Sequence, residues 1–113
     1  MNGLYNKVAV VTGGARGIGR AIAEELGCHG ARVVVNYVHS KEAAEELVAV
    51  LLRNGAPAAV AIQADVAQSE QAAALIAGTV EAFGRIDVLV NNAGITADHS
   101  MRKLTIEEWD RVI

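Results

Sequence analysis

A short apolar run that leads into a glycine-rich turn and then into a helical pattern constrains the fold more than any other feature. Residues 8–11 are small or β-branched apolar residues, which predicts a strand buried on both faces. The turn that follows contains Gly13, Gly14, Gly17 and Gly19. An anion can approach a backbone without side chains, and the next helix would direct its free N–H groups and its positive dipole end there. The stretch therefore predicts a pyrophosphate-binding turn.

The spacing of the glycines distinguishes three kinds of phosphate loop. A G-x-G-x-x-G pattern fails because Ile22 stands where its last glycine belongs. A P-loop begun at Gly14 fails because Arg20 and Ala21 replace the required Lys and Ser/Thr. The pattern T-G-x-x-x-G-x-G fits residues 12–19. The alternative for this stretch alone is that its glycines serve only tight turning and helix packing.

The rest of the chain alternates apolar strands with helical patterns. Further strands are predicted at 32–37, 59–63 and 87–90, each preceded by a helix. The order β-α-β-α-β-α-β-α predicts an α/β fold: the first half of a Rossmann-type, doubly wound parallel sheet with strand order 3-2-1-4. The whole of residues 1–113 is interpreted as one dinucleotide-binding domain.

The helical patterns also predict caps and buried faces. Ser40 and Ser69 are placed to cap the second and third helices, and Thr105 with Glu108 forms a capping box for a fourth. Cys28 is expected to pack as a small hydrophobe. The residues predicted to face inward are Ile18, Ala21, Ile22 and Leu26 in the first helix, Ala43, Ala44, Leu47, Val48, Leu51 and Leu52 in the second, and Ala73, Ile76, Val80 and Phe83 in the third.

Polar residues follow the third and fourth strands at the edge where the glycine turn is expected. Asp65-Val66 comes after the third strand, and Asn91-Asn92-Ala93-Gly94 comes after the fourth. Ligands of doubly wound sheets bind beyond the carboxyl ends of the strands, near the switch between strands 1 and 4. The convergence of these features favours a binding site over a purely structural turn.

Composition limits the other function classes. The net charge of −3 gives no general attraction to nucleic acid or to an anionic membrane, and no apolar run approaches the roughly 20 residues of a membrane span. The first residues resemble no signal peptide. A single cysteine excludes an internal disulfide and is typical of a reducing compartment, so we expect a cytoplasmic protein.

Together these motifs resemble the short-chain dehydrogenase/reductase family. Residues 12–19 look like its cofactor loop, Asp65-Val66 like its adenine-contacting pair, and residues 91–94 like its N-N-A-G turn beside the nicotinamide. Gly94-Ile95-Thr96-x-Asp98, with Trp109-Asp110, is similar to bacterial 3-oxoacyl-[acyl-carrier-protein] and acetoacetyl-CoA reductases. The resemblance implies reduction of a 3-oxoacyl thioester by a protein whose full-length form is a homotetramer, with acyl carrier protein as a possible partner.

Two alternatives stay open. One is another alcohol, sugar or steroid dehydrogenase of the same family, and the other is a non-catalytic nucleotide-binding module. The catalytic Asn, Ser, Tyr and Lys of the family would lie beyond Ile113, and neither Tyr5 nor Tyr37 has Lys four residues later. We therefore expect the chain to be the cofactor-binding half of a reductase and to be inactive alone.

The end of the second strand predicts NADP(H) rather than NAD(H). An NAD enzyme needs an acidic residue near position 36 or 37 for the ribose 2′-hydroxyl, and there is none. Arg16 can bind a 2′-phosphate, with neutral hydrogen bonds from Asn36 and Ser40, although Arg16 could also simply cover the helix start in solvent. The predicted cofactor-binding residues are Gly13, Gly14, Ala15, Arg16, Gly17, Ile18, Gly19, Asn36, Tyr37, Ser40, Asp65, Val66, Asn92, Ala93 and Gly94.

Overall fold

The computed structural model describes residues 3–92, which form a parallel four-stranded sheet flanked by helices. The elements are β1 (Val8–Val11), α1 (Gly17–Cys28), β2 (Arg32–Tyr37), α2 (Lys41–Arg53), β3 (Ala59–Gln63), α3 (Ser69–Phe83) and β4 (Val88–Val90). The strand order β3-β2-β1-β4 confirms the predicted fold class. The predicted capping box at Thr105 and Glu108, and the site residues Ala93 and Gly94, lie outside the described residues.

The two central strands are buried on both faces because helices cover each side. Ala9, Val11 and the corresponding residues of β2 pack with α1 and α2, whereas Val10 and Val34 pack on the opposite face with Leu75 of α3. All residues of β1 are fully buried. This two-sided burial explains why β1 and the apolar part of β2 have continuous apolar sequences rather than an alternating pattern.

The face of α1 that packs on the core overlaps only in part with the predicted one, and Ile22 packs partly against the core as predicted. Ala23 and Leu26 are buried, whereas Ile18 is 51% exposed and Ala21 is also exposed. The buried face also includes Gly27, where an added Cβ would lie 3.1 Å from Leu51 Cδ2 of α2. The prediction was therefore wrong for Ile18 and Ala21.

The predictions were also wrong for Cys28 at the end of α1, and for Leu52 and the cap residue of α2. Cys28 is exposed rather than packed, because it lies in the last turn of α1, beyond the buried pair Leu26 and Gly27. Leu52 of α2 is 48% exposed, one position beyond the buried Leu51. Ser40 stands at the cap position of α2, but its side chain makes no capping hydrogen bond.

The helix α3 packs through Leu75 and Thr79 instead of the predicted residues Ile76 and Val80, which are 38% and 45% exposed. Ala73 is exposed as well. The sequence of α3 is apolar around most of its circumference, so periodicity did not determine the buried face. Thr79 can be buried because its hydroxyl donates a hydrogen bond to the Leu75 carbonyl at 2.9 Å.

The start of α3 also differs from the prediction. Ser69 is the first helical residue and Gln68 holds the cap position, with no side-chain capping bond. The preceding loop is instead organised by Asp65, whose carboxylate accepts from the Ala67 N–H at 3.1 Å and whose own N–H donates to Gln71 Oε1 at 2.7 Å. These bonds place the helix start one residue earlier than a Ser69 cap requires.

Asp87 joins the amino ends of β4 and β1, at the opposite edge of the sheet from the glycine turn. The Val8 N–H donates to Asp87 Oδ2 at 2.9 Å, and the Arg85 guanidinium donates to Oδ1 at 2.7 Å. Partial burial by itself would raise the pKa of Asp87, but the hydrogen bonds from Arg85 and Val8 and the charges of Arg85 and Lys7 lower it below its ordinary value.

Asp87→Ala should therefore reduce the free energy of unfolding near neutral pH by about 1.5–3 kcal/mol, the usual contribution of hydrogen bonds to a charged group. Because the folded-state pKa is lowered, the contribution is fully present above the unfolded pKa of about 3.9 and is lost as the pH falls through the folded value. Urea unfolding at pH 7 and about pH 2.5 measures this difference. Glu81→Ala, at an exposed carboxylate, is the control. An equal loss for Asp87→Ala at both pH values would contradict the assignment.

Candidate dinucleotide-binding site

The glycine turn leaves β1 at the carboxyl edge of the sheet and opens directly into α1. Gly13 and Gly17 have φ values of 60° and 58°, which glycine adopts without strain. Arg16 precedes the helix in an extended conformation, and the first helical hydrogen bond runs from the Arg20 N–H to the Arg16 carbonyl at 3.2 Å. The amides of residues 17–19 precede that bond, so they lie at the end of the helix where free N–H groups and the positive dipole end favour an anion.

Two glycines of the turn have different structural roles. Among residues 3–92, no atom lies within 4 Å of a Cβ added at Gly17, so the described structure leaves space there that a ligand can occupy. A Cβ added at Gly19 would collide with the Gly13 carbonyl oxygen and would lie 2.7 Å from Asn92 Nδ2 and 3.0 Å from Gly14 Cα. Gly19 therefore allows the helix to start directly against the loop, and Gly17 leaves its outer side uncovered.

Two asparagines, one in β2 and one just after β4, hold the peptide groups of Gly13. The Gly13 N–H donates to Asn36 Oδ1 at 3.1 Å, and Asn92 Nδ2 donates to the Gly13 carbonyl at 3.2 Å. The backbone adds bonds from the Gly14 N–H to the Asn36 carbonyl and from the Thr12 N–H to the Val90 carbonyl, both at 2.9 Å. The loop is therefore fixed to β2 on one side and to the end of β4 on the other.

A cleft of about 210 Å³ lies between the glycine loop and the end of β2. It is smaller than the ~300–1,000 Å³ of sites that enclose a whole drug-sized ligand, so it can enclose only part of a ligand of that size. Arg16 and His39 supply basic groups, and none of the described residues that line the cleft is acidic. The lining residues are Gly13, Ala15, Arg16, Tyr37, Val38, His39 and Ser40.

The structure brings the predicted residues Arg16, Tyr37 and Ser40 together at this cleft. Asp65 and Val66 follow β3 at the same edge of the sheet but do not line the cleft. Gly14, Gly17, Ile18 and Gly19 form the loop and the helix start, and Asn92 lies on the β4 side of the loop.

The side chain of Asn36 is not placed to bind the 2′-phosphate, contrary to what the sequence had predicted. Its side chain is completely buried beneath the loop and makes only internal hydrogen bonds, so it cannot donate to a phosphate in the cleft. The prediction missed this role, although one signal was present: a buried amide in an otherwise apolar strand must find partners nearby. It also missed Val38, which lines the cleft because it directly follows β2.

The described part of the chain contains neither a group of side chains suited to a metal ion nor a helix suited to crossing a membrane. Residues 3–92 contain no group of three or more His, Cys, Asp or Glu side chains that could hold a metal ion. Within the same residues, no helix has the length and apolar character that a membrane crossing requires.

Comparison with known proteins shows the family to which a chain with this glycine loop and sheet belongs. A model of the family "short chain dehydrogenase" matches residues 7–113. The chain belongs to the short-chain dehydrogenase family. It is 53% identical over 109 residues to versicolorin reductase 1 of Aspergillus parasiticus, an alignment that covers 96% of this chain and 41% of that protein. It is 48% identical over 113 residues to the 3-oxoacyl-[acyl-carrier-protein] reductase of Synechocystis sp., covering 100% of this chain and 45% of that protein.

A solved structure supports the same family. The hydroxysteroid dehydrogenase of Escherichia coli superposes with a TM-score of 0.75 at 35% sequence identity, over 80% of this chain and 36% of that one. The short-chain dehydrogenase chain described here thus spans less than half the length of the curated relatives it matches.

Proposed function

We propose that this short-chain dehydrogenase chain is the cofactor-binding part of an NADP(H)-dependent oxidoreductase. The observation that supports the proposal best is the cleft at the end of β2, where Arg16 stands at the glycine loop and no described lining residue is acidic. The residues fit the cofactor: the open backbone at Gly17 and the amides at the start of α1 suit a pyrophosphate. The bound nicotinamide would supply or accept the hydride.

Each part of the cofactor would contact a different segment of this chain. The amides of residues 17–19 would bind the pyrophosphate, and Ile18, which is half-exposed at the helix start, would pack against the cofactor beside it. Arg16 and Ser40 would bind the 2′-phosphate. Asp65 would accept a hydrogen bond from the adenine amine, with Val66 beside the ring, and Asn92, Ala93 and Gly94 would line the nicotinamide side.

For the substrate we propose a 3-oxoacyl thioester, on acyl carrier protein or coenzyme A, that is reduced to the 3-hydroxyacyl form. The similarity to the Synechocystis 3-oxoacyl-[acyl-carrier-protein] reductase over the whole chain supports this class. We further propose that the complete protein is a cytoplasmic homotetramer and that the catalytic Asn, Ser, Tyr and Lys lie beyond Ile113. In that arrangement residues 1–113 would hold the cofactor, and the rest of the protein would supply the proton.

The alternative is another alcohol, sugar or steroid as the substrate. Among these, a steroid is favoured by the similarity to the hydroxysteroid dehydrogenase of Escherichia coli. Both classes use the same cofactor site, so the glycine loop does not discriminate between them.

A chimera tests the cofactor proposal in an active enzyme. Residues 1–113 would replace the aligned part of the Synechocystis reductase, and activity with acetoacetyl-CoA would be measured with NADPH and with NADH. We expect kcat/KM with NADPH to exceed that with NADH by about ten- to a hundredfold, the value of one charge-assisted hydrogen bond. The unmodified reductase is the control, and a preference for NADH in the chimera would overturn the proposal. Activity of the 113-residue protein itself would contradict its role as a cofactor-binding part only.

A further inference from the structure

Asn36 is a fully buried polar residue near the end of an apolar strand, and each polar group of its side chain is used. Its Oδ1 accepts a hydrogen bond from the Gly13 N–H at 3.1 Å. Its Nδ2 donates to the carbonyls of Ile62 at 3.2 Å and Ala64 at 3.0 Å. One amide therefore links the glycine loop after β1 to β2 and to the end of β3.

The required pattern of donors and acceptors selects an amide. The Gly13 N–H needs an acceptor, whereas the two carbonyls need donors. A carboxylate would accept from Gly13 but place its second oxygen against two carbonyl oxygens, and a hydroxyl has only one hydrogen to donate. An apolar residue would leave a buried N–H group without its partner, which is unfavourable.

We propose that Asn36 is a positioning residue for the cofactor: it fixes the Gly13 peptide, and with it the orientation of the loop amides that face the pyrophosphate. This inference rests on the proposed function. Asn36 would not touch the cofactor, because its side chain is completely buried and bonded to backbone groups. Its effect should consequently be the same for NADPH and NADH, which share the pyrophosphate and differ only at the 2′ position.

Asn36→Asp makes this role depend on pH. At pH 8 the introduced carboxylate repels the Ile62 and Ala64 carbonyls, and we expect the binding of both cofactors to weaken by about 5- to 150-fold. Burial and the two carbonyls favour the protonated form, which can again donate to one carbonyl. Lowering the pH to about 5.5 should therefore recover a large part of the lost affinity.

The measurement is a calorimetric titration of the 113-residue protein with NADH and with NADPH at both pH values, with unfolding curves recorded alongside. Titratable side chains on the segments around Asn36 are Arg16 in the loop, Tyr37 and His39 at and after the end of β2, and Asp65 after β3. All of these groups are present in both the wild type and the variant. The ratio of the variant's dissociation constant to that of the wild type therefore reports the effect of the substituted group. Because NADH has no 2′-phosphate, protonation of that phosphate does not contribute to the pH dependence measured with NADH.

Two further variants complete the test. Asn36→Ser should weaken binding of both cofactors by a similar factor at both pH values, because a hydroxyl does not titrate, and it replaces Asn36→Asp if that protein does not fold at pH 8. Gln63→Ala removes an exposed amide that donates to the Val38 carbonyl at the same sheet edge. It should leave both dissociation constants within about twofold of wild type, as is usual for a surface substitution.

The outcomes separate the two proposals. Equal losses for both cofactors, with recovery at low pH for Asn36→Asp alone, support the positioning role. Wild-type affinity in both variants, with only a lower free energy of unfolding, would show that Asn36 merely joins strands and would overturn the inference while leaving the proposed function intact. A wild-type protein that binds neither dinucleotide would overturn both.

Discussion

Gly19→Ala should weaken the binding of NADPH and NADH alike, by about 5- to 150-fold, which corresponds to the ~1–3 kcal/mol that overpacking of a closed site usually costs. The added methyl group would collide with the Gly13 carbonyl oxygen and approach Gly14 Cα to 3.0 Å. Both are backbone atoms that cannot rotate away as a flexible side chain can. The loop must therefore shift away from the start of α1, and the amides that we propose bind the pyrophosphate shift with it.

Gly78→Ala is the matched control, because it makes the same chemical change within another helix. A Cβ there would lie 3.5 Å from Ile62 Cδ1, an ordinary van der Waals contact. Alanine is the better helix former, so this variant should be more stable by about 0.5–1 kcal/mol and should bind both cofactors as the wild type does. Fluorescence titration of the nicotinamide and thermal unfolding measure the two effects. Unchanged binding in Gly19→Ala would mean that the helix start and the loop are not packed as described.

The strands and the glycine loop could be predicted because their causes are local in the sequence. The four residues of β1 are apolar without interruption, and a chain that continues from such a strand through Gly13, Gly17 and Gly19 into a helix has few arrangements open to it. The strand order β3-β2-β1-β4 is the one expected for the first half of a doubly wound fold. The structure agrees with the predicted bounds of β1, β2 and β3.

The helix faces and the role of Asn36 could not be predicted because their causes are distant in the sequence. The inner face of α3 depends on how the helix lies against the sheet, where Leu75 packs with Val10 and Val34, and its apolar sequence allows several rotations about its axis. Asn36 contacts Gly13 and Ala64, which are 23 and 28 residues away. A polar residue in an apolar strand indicates that partners exist, but only the positions of β3 and the glycine loop identify them.

The balance between the two cofactors should depend on Arg16. This residue precedes α1, where a cation is unfavourable unless an anion offsets it, and it lines the cleft with Tyr37 and Ser40. A guanidinium can donate two parallel hydrogen bonds to a phosphate and stays charged at all working pH values. We therefore expect the 2′-phosphate to bind here, and NADH, which lacks it, to gain nothing from Arg16.

Arg16→Ala should weaken NADPH binding by about ten- to a hundredfold and leave NADH binding nearly unchanged. The NADPH affinity of Arg16→Lys should lie between those of the wild type and Arg16→Ala, since lysine keeps the charge but loses the paired donors. Arg20→Ala is the control: its guanidinium donates to Glu24 Oε2 at 3.0 Å and is not among the groups that line the cleft, so both affinities should stay near wild type. Titrations at low and at moderate salt give a further check, because screening should reduce the NADPH preference of the wild type more than that of Arg16→Ala. Equal losses for NADPH and NADH in Arg16→Ala would show that Arg16 supports the loop as a whole, and the 2′-phosphate would then have to bind elsewhere.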